Sequence, residues 1–94
     1  MAILVVYDIS DDKTRTRVAN KLELMGYKRI QRSVWILPLG GFNEALRTYK
    51  KLLKIKLEPQ DKIHIFIIPK WSYEKALSIG PEPPKPTLGE LKIF

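Results

Sequence analysis

The chain has no cysteine and a single histidine, His64. The first absence removes a disulfide framework, a thiolate zinc site and a cysteine nucleophile. The second removes a histidine-rich metal centre and any His–His arrangement built within one chain. Long apolar runs are also missing; none approaches the ~18 residues of a membrane span. The N-terminus lacks the basic stretch and cleavage site of a signal peptide, so the expected compartment is the cytoplasm and no membrane partner is expected. Acidic charge is scarce, with 10 Asp and Glu against 17 Lys and Arg, a net charge of +7 over 94 residues. What is there is a 45% hydrophobic composition, too apolar for disorder. These features describe one small basic domain. A chain this short often gains stability from a partner subunit, and its charge suits a polyanion.

Ala2–Ile9 reads AILVVYDI, nearly continuous in apolar and β-branched residues, as a covered central strand requires. Ser10, Asp11 and Asp12 suit the cap and first turn of a helix running to about Met25, with Val18, Ala19, Leu22 and Met25 at helical spacing. Gly26 is placed to stop it. Tyr27–Leu39 alternates as a half-buried strand, with Trp35 on the face of Gln31 and Ser33. Phe42–Leu57 reads as the clearest helix. Phe42, Ala45, Leu46, Tyr49, Leu52 and Leu53 form its apolar stripe, with Arg47, Lys50, Lys51 and Lys54 on the other side. Lys62–Pro69 is a second buried strand, and Trp71-Ser72-Tyr73 leads away from it. Pro81, Pro83, Pro84 and Pro86 make a stiff linker, and Leu88–Phe94 has the β character of a terminal edge strand.

This order predicts an α/β sandwich, an α+β fold of ferredoxin-like βαββαβ type with an additional C-terminal edge strand. Residues 1–79 form the domain. Residues 80–94 form the proline-rich linker and the terminal strand. Tyr27–Leu39 must supply both strands between the helices, although no Gly or Asn marks a turn there.

Asp8 interrupts a buried strand near its C-terminal end. An unpaired buried charge is costly, so Asp8 needs a cation, a donor cluster or open solvent. Capping or pairing with an Arg and a role at a site both remain open. One carboxylate is thin for Mg²⁺, but two chains on a two-fold axis would bring two together. Arg15 and Arg17 lie about 200° apart on a helix, so they cannot point the same way. Arg29, Arg32 and Trp35 share a strand. The arginines suit phosphate, and Trp35 suits a core edge, a subunit contact or a substrate edge. Arg47, Lys50, Lys51 and Lys54 form either a solvated face or a salt-sensitive phosphate track. Tyr7 adjoins Asp8 but points to the opposite face, as a packing residue or a hydroxyl acting behind the acid.

The stretch VVYDISDDKTRTRVANKL, followed by GYKRIQRSVW and later IFIIP, resembles the small CRISPR-associated Cas2 family across nearly the whole chain. The resemblance implies a ferredoxin-like homodimer in which the strand within Leu88–Phe94 packs on the partner's sheet. It implies divalent-metal-dependent endonuclease activity with Mg²⁺ or Mn²⁺, on single-stranded RNA or duplex DNA. It also implies a bridge between copies of the Cas1 integrase during spacer acquisition. The family's acid falls on Asp8, which would be both catalytic and metal-binding, and its catalytic neighbour on Tyr7. Its arginines fall on Arg15, Arg17 and Arg29. The usual Phe after Ser-Val is Trp35 here, and Ile36-Leu37-Pro38-Leu39 replaces the usual polar turn. Two other readings stand beside the nuclease: a non-catalytic DNA-binding adaptor of the integrase, and a VapD-like toxin ribonuclease.

Overall fold

A computed structural model of the chain describes residues 1–83. The terminal strand expected within Leu88–Phe94 lies outside those residues. The elements run β1 (Ala2–Asp8), α1 (Asp12–Leu24), β2 (Lys28–Gln31), β3 (Val34–Leu37), α2 (Phe42–Leu52), β4 (Lys62–Ile68) and α3 (Lys70–Glu74). The sheet order is β2-β3-β1-β4, and every neighbouring pair is antiparallel. This is the expected ferredoxin-like βαββαβ arrangement, with β2 and β4 on the edges.

Local chemistry sets the helix ends. Asp11 caps α1, its side chain accepting the Thr14 N–H at 2.9 Å. Gly26 takes φ +93°, a conformation other residues reach only with strain. There Gly26 N–H donates to the Glu23 carbonyl and Tyr27 N–H to the Leu22 carbonyl, a Schellman closure with Tyr27 and Leu22 both buried. At the start of α2, Glu44 reaches back to the Gly41 N–H at 2.6 Å.

The expected division between the helices falls at Arg32-Ser33. Lys28 and Arg29 pair with Ile36 and Trp35, but Gln31 pairs with Val34, so β2 carries a bulge between Arg29 and Gln31. One extra residue shifts the side-chain alternation. Trp35 therefore does not share a continuous strand face with Gln31 and Ser33; it lies across from Arg29 on one side and Val5 on the other. Helix α2 also ends earlier than the spacing predicts, at Leu52, because Lys54 and Ile55 N–H bond back to Lys51 and Leu52 and turn Ile55 inward. Its apolar stripe divides. Ala45 and Leu52 are buried with Thr48, while Phe42, Leu46, Tyr49 and Leu53 remain exposed. The stripe is wider than the sheet beneath it can cover.

The main core lies between the sheet and the two long helices. Ile3, Val5, Tyr7 and Ile9 of the β1 segment meet Val18, Leu22, Ala45, Leu52 and Trp35 there. A smaller cluster occupies one end of the opposite sheet face, where α3 lays Tyr73 on Ala2 and Ile36, with Leu4, Ile30 and Ile68 around them. No helix among the described residues is long and apolar enough to cross a membrane.

Candidate metal and nucleic-acid site

Strand alternation sends Tyr7 and Asp8 to opposite faces of the sheet. Asp8 is exposed at the end of β1, on the face opposite the main core. Its Cα partner is Lys62, and along the same face Val6 opposes His64 and Leu4 opposes Phe66. Tyr73 covers the far end of this face, while the end carrying Asp8 stays open, with His64 and Phe66 exposed and their ring centroids 6.1 Å apart. The Asp8 carboxylate makes no hydrogen bond or ion pair to another described residue. It is an unspent hard oxygen donor on a solvent-facing surface.

The core side holds most of the predicted arginines. A cleft of about 500 Å³ is walled by Asp12, Arg15 and Glu23 from α1 and by Arg29 and Arg32, and floored by Tyr7 and Trp35. The Arg29 guanidinium stacks over the Trp35 ring, 4.8 Å from its centroid. The Trp35 indole N–H donates to the Tyr7 hydroxyl at 3.1 Å, and both residues are buried. Tyr7 thus fixes the ring on which Arg29 rests. Arg15 is engaged locally. It pairs with Asp12 and donates to the Ile9 carbonyl at 2.8 Å and the Ser10 carbonyl at 3.3 Å. Arg17 is exposed elsewhere on α1, beside Lys13 and Thr16. Arg47, Lys50, Lys51 and Lys54 are exposed on α2. The structure therefore gathers Tyr7, Arg15, Arg29, Arg32 and Trp35 around one cleft. Asp8 stands on the other face, and the α2 row is separate from both.

The Tyr7–Trp35 bond gives an expected result. Tyr7→Phe leaves the buried indole N–H without its partner, and urea unfolding should show a loss of about 1–3 kcal/mol.

One arrangement beside Asp8 is not visible in the residue pattern. Asp61, in the loop before β4, accepts from the Ser10 N–H at 3.1 Å, the Ser10 hydroxyl at 3.2 Å and the Glu58 N–H at 3.0 Å. Pro59-Gln60-Asp61 read as a turn from the sequence, and nothing local pointed to a partner 51 positions away. The Glu58 and Ser10 N–H groups hold the Asp61 carboxyl below the ordinary value of 3.8, and the Thr14 N–H and hydroxyl do the same for Asp11. Groups with lowered native pKa values stabilise the fold above the unfolded value and lose that contribution as pH falls through the native one. Acid titration of stability should therefore show a limb beginning near 3.8 and continuing below it. Replacing Asp11 and Asp61 by Asn should flatten that limb.

The family model for CRISPR associated protein Cas2 matches residues 1–76. The chain belongs to the Cas2 family. A relative from Aeropyrum pernix named CRISPR-associated endoribonuclease Cas2 is 38% identical over 78 residues, covering 83% of this chain and 84% of that protein. A Thermoproteus tenax protein named CRISPR-associated endonuclease Cas1/endonuclease Cas2 fusion is 34% identical over 86 residues, 89% of this chain and 31% of the fusion. A crystal structure of Streptococcus pyogenes Cas2 superposes with a TM-score of 0.70 at 25% identity, covering 85% of this chain and all of that one. The Cas2 match spans β1 to α3, so it takes in Asp8, the arginine cleft and the Asp61 anchor alike.

Proposed function

We propose that this Cas2-family chain works in the cytoplasm as a homodimeric endonuclease in spacer acquisition. Its substrate is single-stranded RNA, with duplex DNA as the alternative, and Asp8 from each protomer holds one Mg²⁺ or Mn²⁺. The observation that carries the reading is the Asp8 carboxylate itself, exposed on the open end of a sheet face with no partner among the described residues. No group of three or more His, Cys, Asp or Glu among the described residues could hold a metal. Asp8 supplies one carboxylate per chain, which fits an ion that keeps several waters and takes one or two carboxylates. A two-fold axis at the open face doubles that number.

When bound, the ion supplies Lewis-acid polarisation of a phosphoryl oxygen and a more acidic water. Asp8 fixes where that chemistry happens. Arg17, Arg29 and Arg32 present exposed guanidiniums to phosphate, and Trp35 and Tyr7 hold Arg29 from below. Arg15 acts one step back, through the backbone that follows Asp8. Arg47, Lys50, Lys51 and Lys54 form a sequence-independent phosphate track whose affinity falls with salt.

End-labelled single-stranded RNA and duplex DNA test the reading. Cleavage by the purified chain should stop with a chelator and return with Mg²⁺ or Mn²⁺. Cleavage that continues in the chelator would sink it.

The fused Thermoproteus tenax relative favours a second reading, an adaptor that associates with the Cas1 integrase. The tail then serves as a docking element on a partner, and deleting residues 80–94 should weaken co-elution with integrase. A truncated chain that co-elutes as well as the full one would remove that role from the tail.

A further inference from the structure

We infer that Asp61 is a positioning residue for the Asp8 carboxylate. This role rests on the metal reading of Asp8 and adds a residue from another part of the chain. Since the Asp8 carboxylate has no partner among the described residues, its position is inherited from the backbone that carries it. That backbone leaves the sheet immediately afterwards, through Ile9 and Ser10.

Those two residues are clamped from two sides. On one side, Asp61 Oδ1 accepts from the Ser10 N–H and hydroxyl at 3.1 and 3.2 Å, and Gln60 Nε2 donates to the same hydroxyl at 3.3 Å. On the other, Arg15 donates to the Ile9 and Ser10 carbonyls at 2.8 and 3.3 Å. Asp61 is itself held. Its Oδ2 accepts the Glu58 N–H and its own N–H donates to the Glu58 carbonyl, both at 3.0 Å, which closes the turn before β4. The next residue, Lys62, is the Cα partner of Asp8 in the β1–β4 ladder. Asp61 therefore sits one residue before the position across the ladder from the acid, and it grips the chain at Ser10, two residues beyond Asp8.

Hydrogen bonds that end on a carboxylate are stronger than neutral ones. An ion shared between two carboxylates also tolerates little misplacement, since a working site needs its groups within about 0.5 Å of the right geometry. Asn at 61 would keep one acceptor for Ser10 but set an NH₂ group against the second N–H. Ala would remove both acceptors.

Mn²⁺ binding to the full chain tests this, with free Mn²⁺ followed by electron paramagnetic resonance. Asp8→Asn should lose the site. Asp61→Ala should bind about 10–100-fold more weakly, the range seen when groups behind a metal ligand are removed. Asp61→Asn should fall between Asp61→Ala and the parent. Thr48→Ala controls for general loss of stability. It removes the buried 2.7 Å bond to the Tyr27 hydroxyl, so it should lower the urea midpoint and keep the parent affinity. If Asp8→Asn loses Mn²⁺ but Asp61→Ala binds as the parent does, Asp61 has no positioning role and the metal reading survives. The same holds if Thr48→Ala weakens binding as much as Asp61→Ala at a matched loss of midpoint. If Asp8→Asn binds Mn²⁺ as tightly as the parent, the metal reading fails and the role of Asp61 falls with it.

Discussion

Asp8→Asn should abolish metal-dependent cleavage while leaving the fold as stable as before. Asn keeps the size of the side chain and one oxygen but removes the charge that a hard cation needs. Stabilisation by a bound ion is worth several kcal/mol in the transition state, so the rate should fall by about 10³-fold or more. Folding should shift by no more than about 0.5 kcal/mol, because the carboxylate is exposed and has no partner to lose among the described residues. Paired measurements of cleavage rate and urea midpoint check both halves. A midpoint that drops with the rate would mean that Asp8 supports the fold and that its loss says nothing about chemistry.

Trp35→Ala should have the largest effect on stability, about 3–5 kcal/mol. Domains are stable by only about 5–15 kcal/mol in total, so this variant should be largely unfolded at modest temperatures. Three losses add together. The 3% exposed ring leaves a cavity in the main core, the Tyr7 hydroxyl loses its donor, and Arg29 loses the surface on which it is stacked. Trp35→Phe should cost much less, since it keeps an aromatic ring beneath Arg29 and removes only the N–H and part of the volume. Thermal unfolding of the two variants checks the order. Equal and small losses would place Trp35 at a surface contact, outside the core.

The fold was largely legible because its strongest signals are local. The continuous apolar run of β1, the Asp-rich start of α1 and the stop at Gly26 each follow from neighbouring residues. KIHIFII also reads correctly as a strand, but it lies on the sheet edge with none of its residues buried, where its composition predicts a buried strand. The face of Trp35 was not legible. A bulge in β2 depends on how two strands pair, and no residue at Arg32-Ser33 announces the turn. The fate of the α2 stripe was hidden for a similar reason. Helical spacing shows that Phe42 and Tyr49 share a side with Leu46 and Leu53, but not how much of that side the sheet can reach.

At the candidate site, Asp8 stood out because a carboxylate at the end of an apolar run has to be explained. The separation of Asp8 from Tyr7 also followed from alternation. The Asp61 anchor did not, since it joins two loops whose proximity exists only once β1 and β4 are paired.

A crystal structure of the full-length chain grown with Mn²⁺ tests the central claim most directly. The Mn²⁺ should give one anomalous peak on the two-fold axis of a dimer, contacted by the Asp8 carboxylates of both protomers. Asp8 carboxylates separated by well over ~10 Å, with the metal elsewhere, would contradict it, because ligand bonds of ~2.0–2.1 Å cannot span that gap.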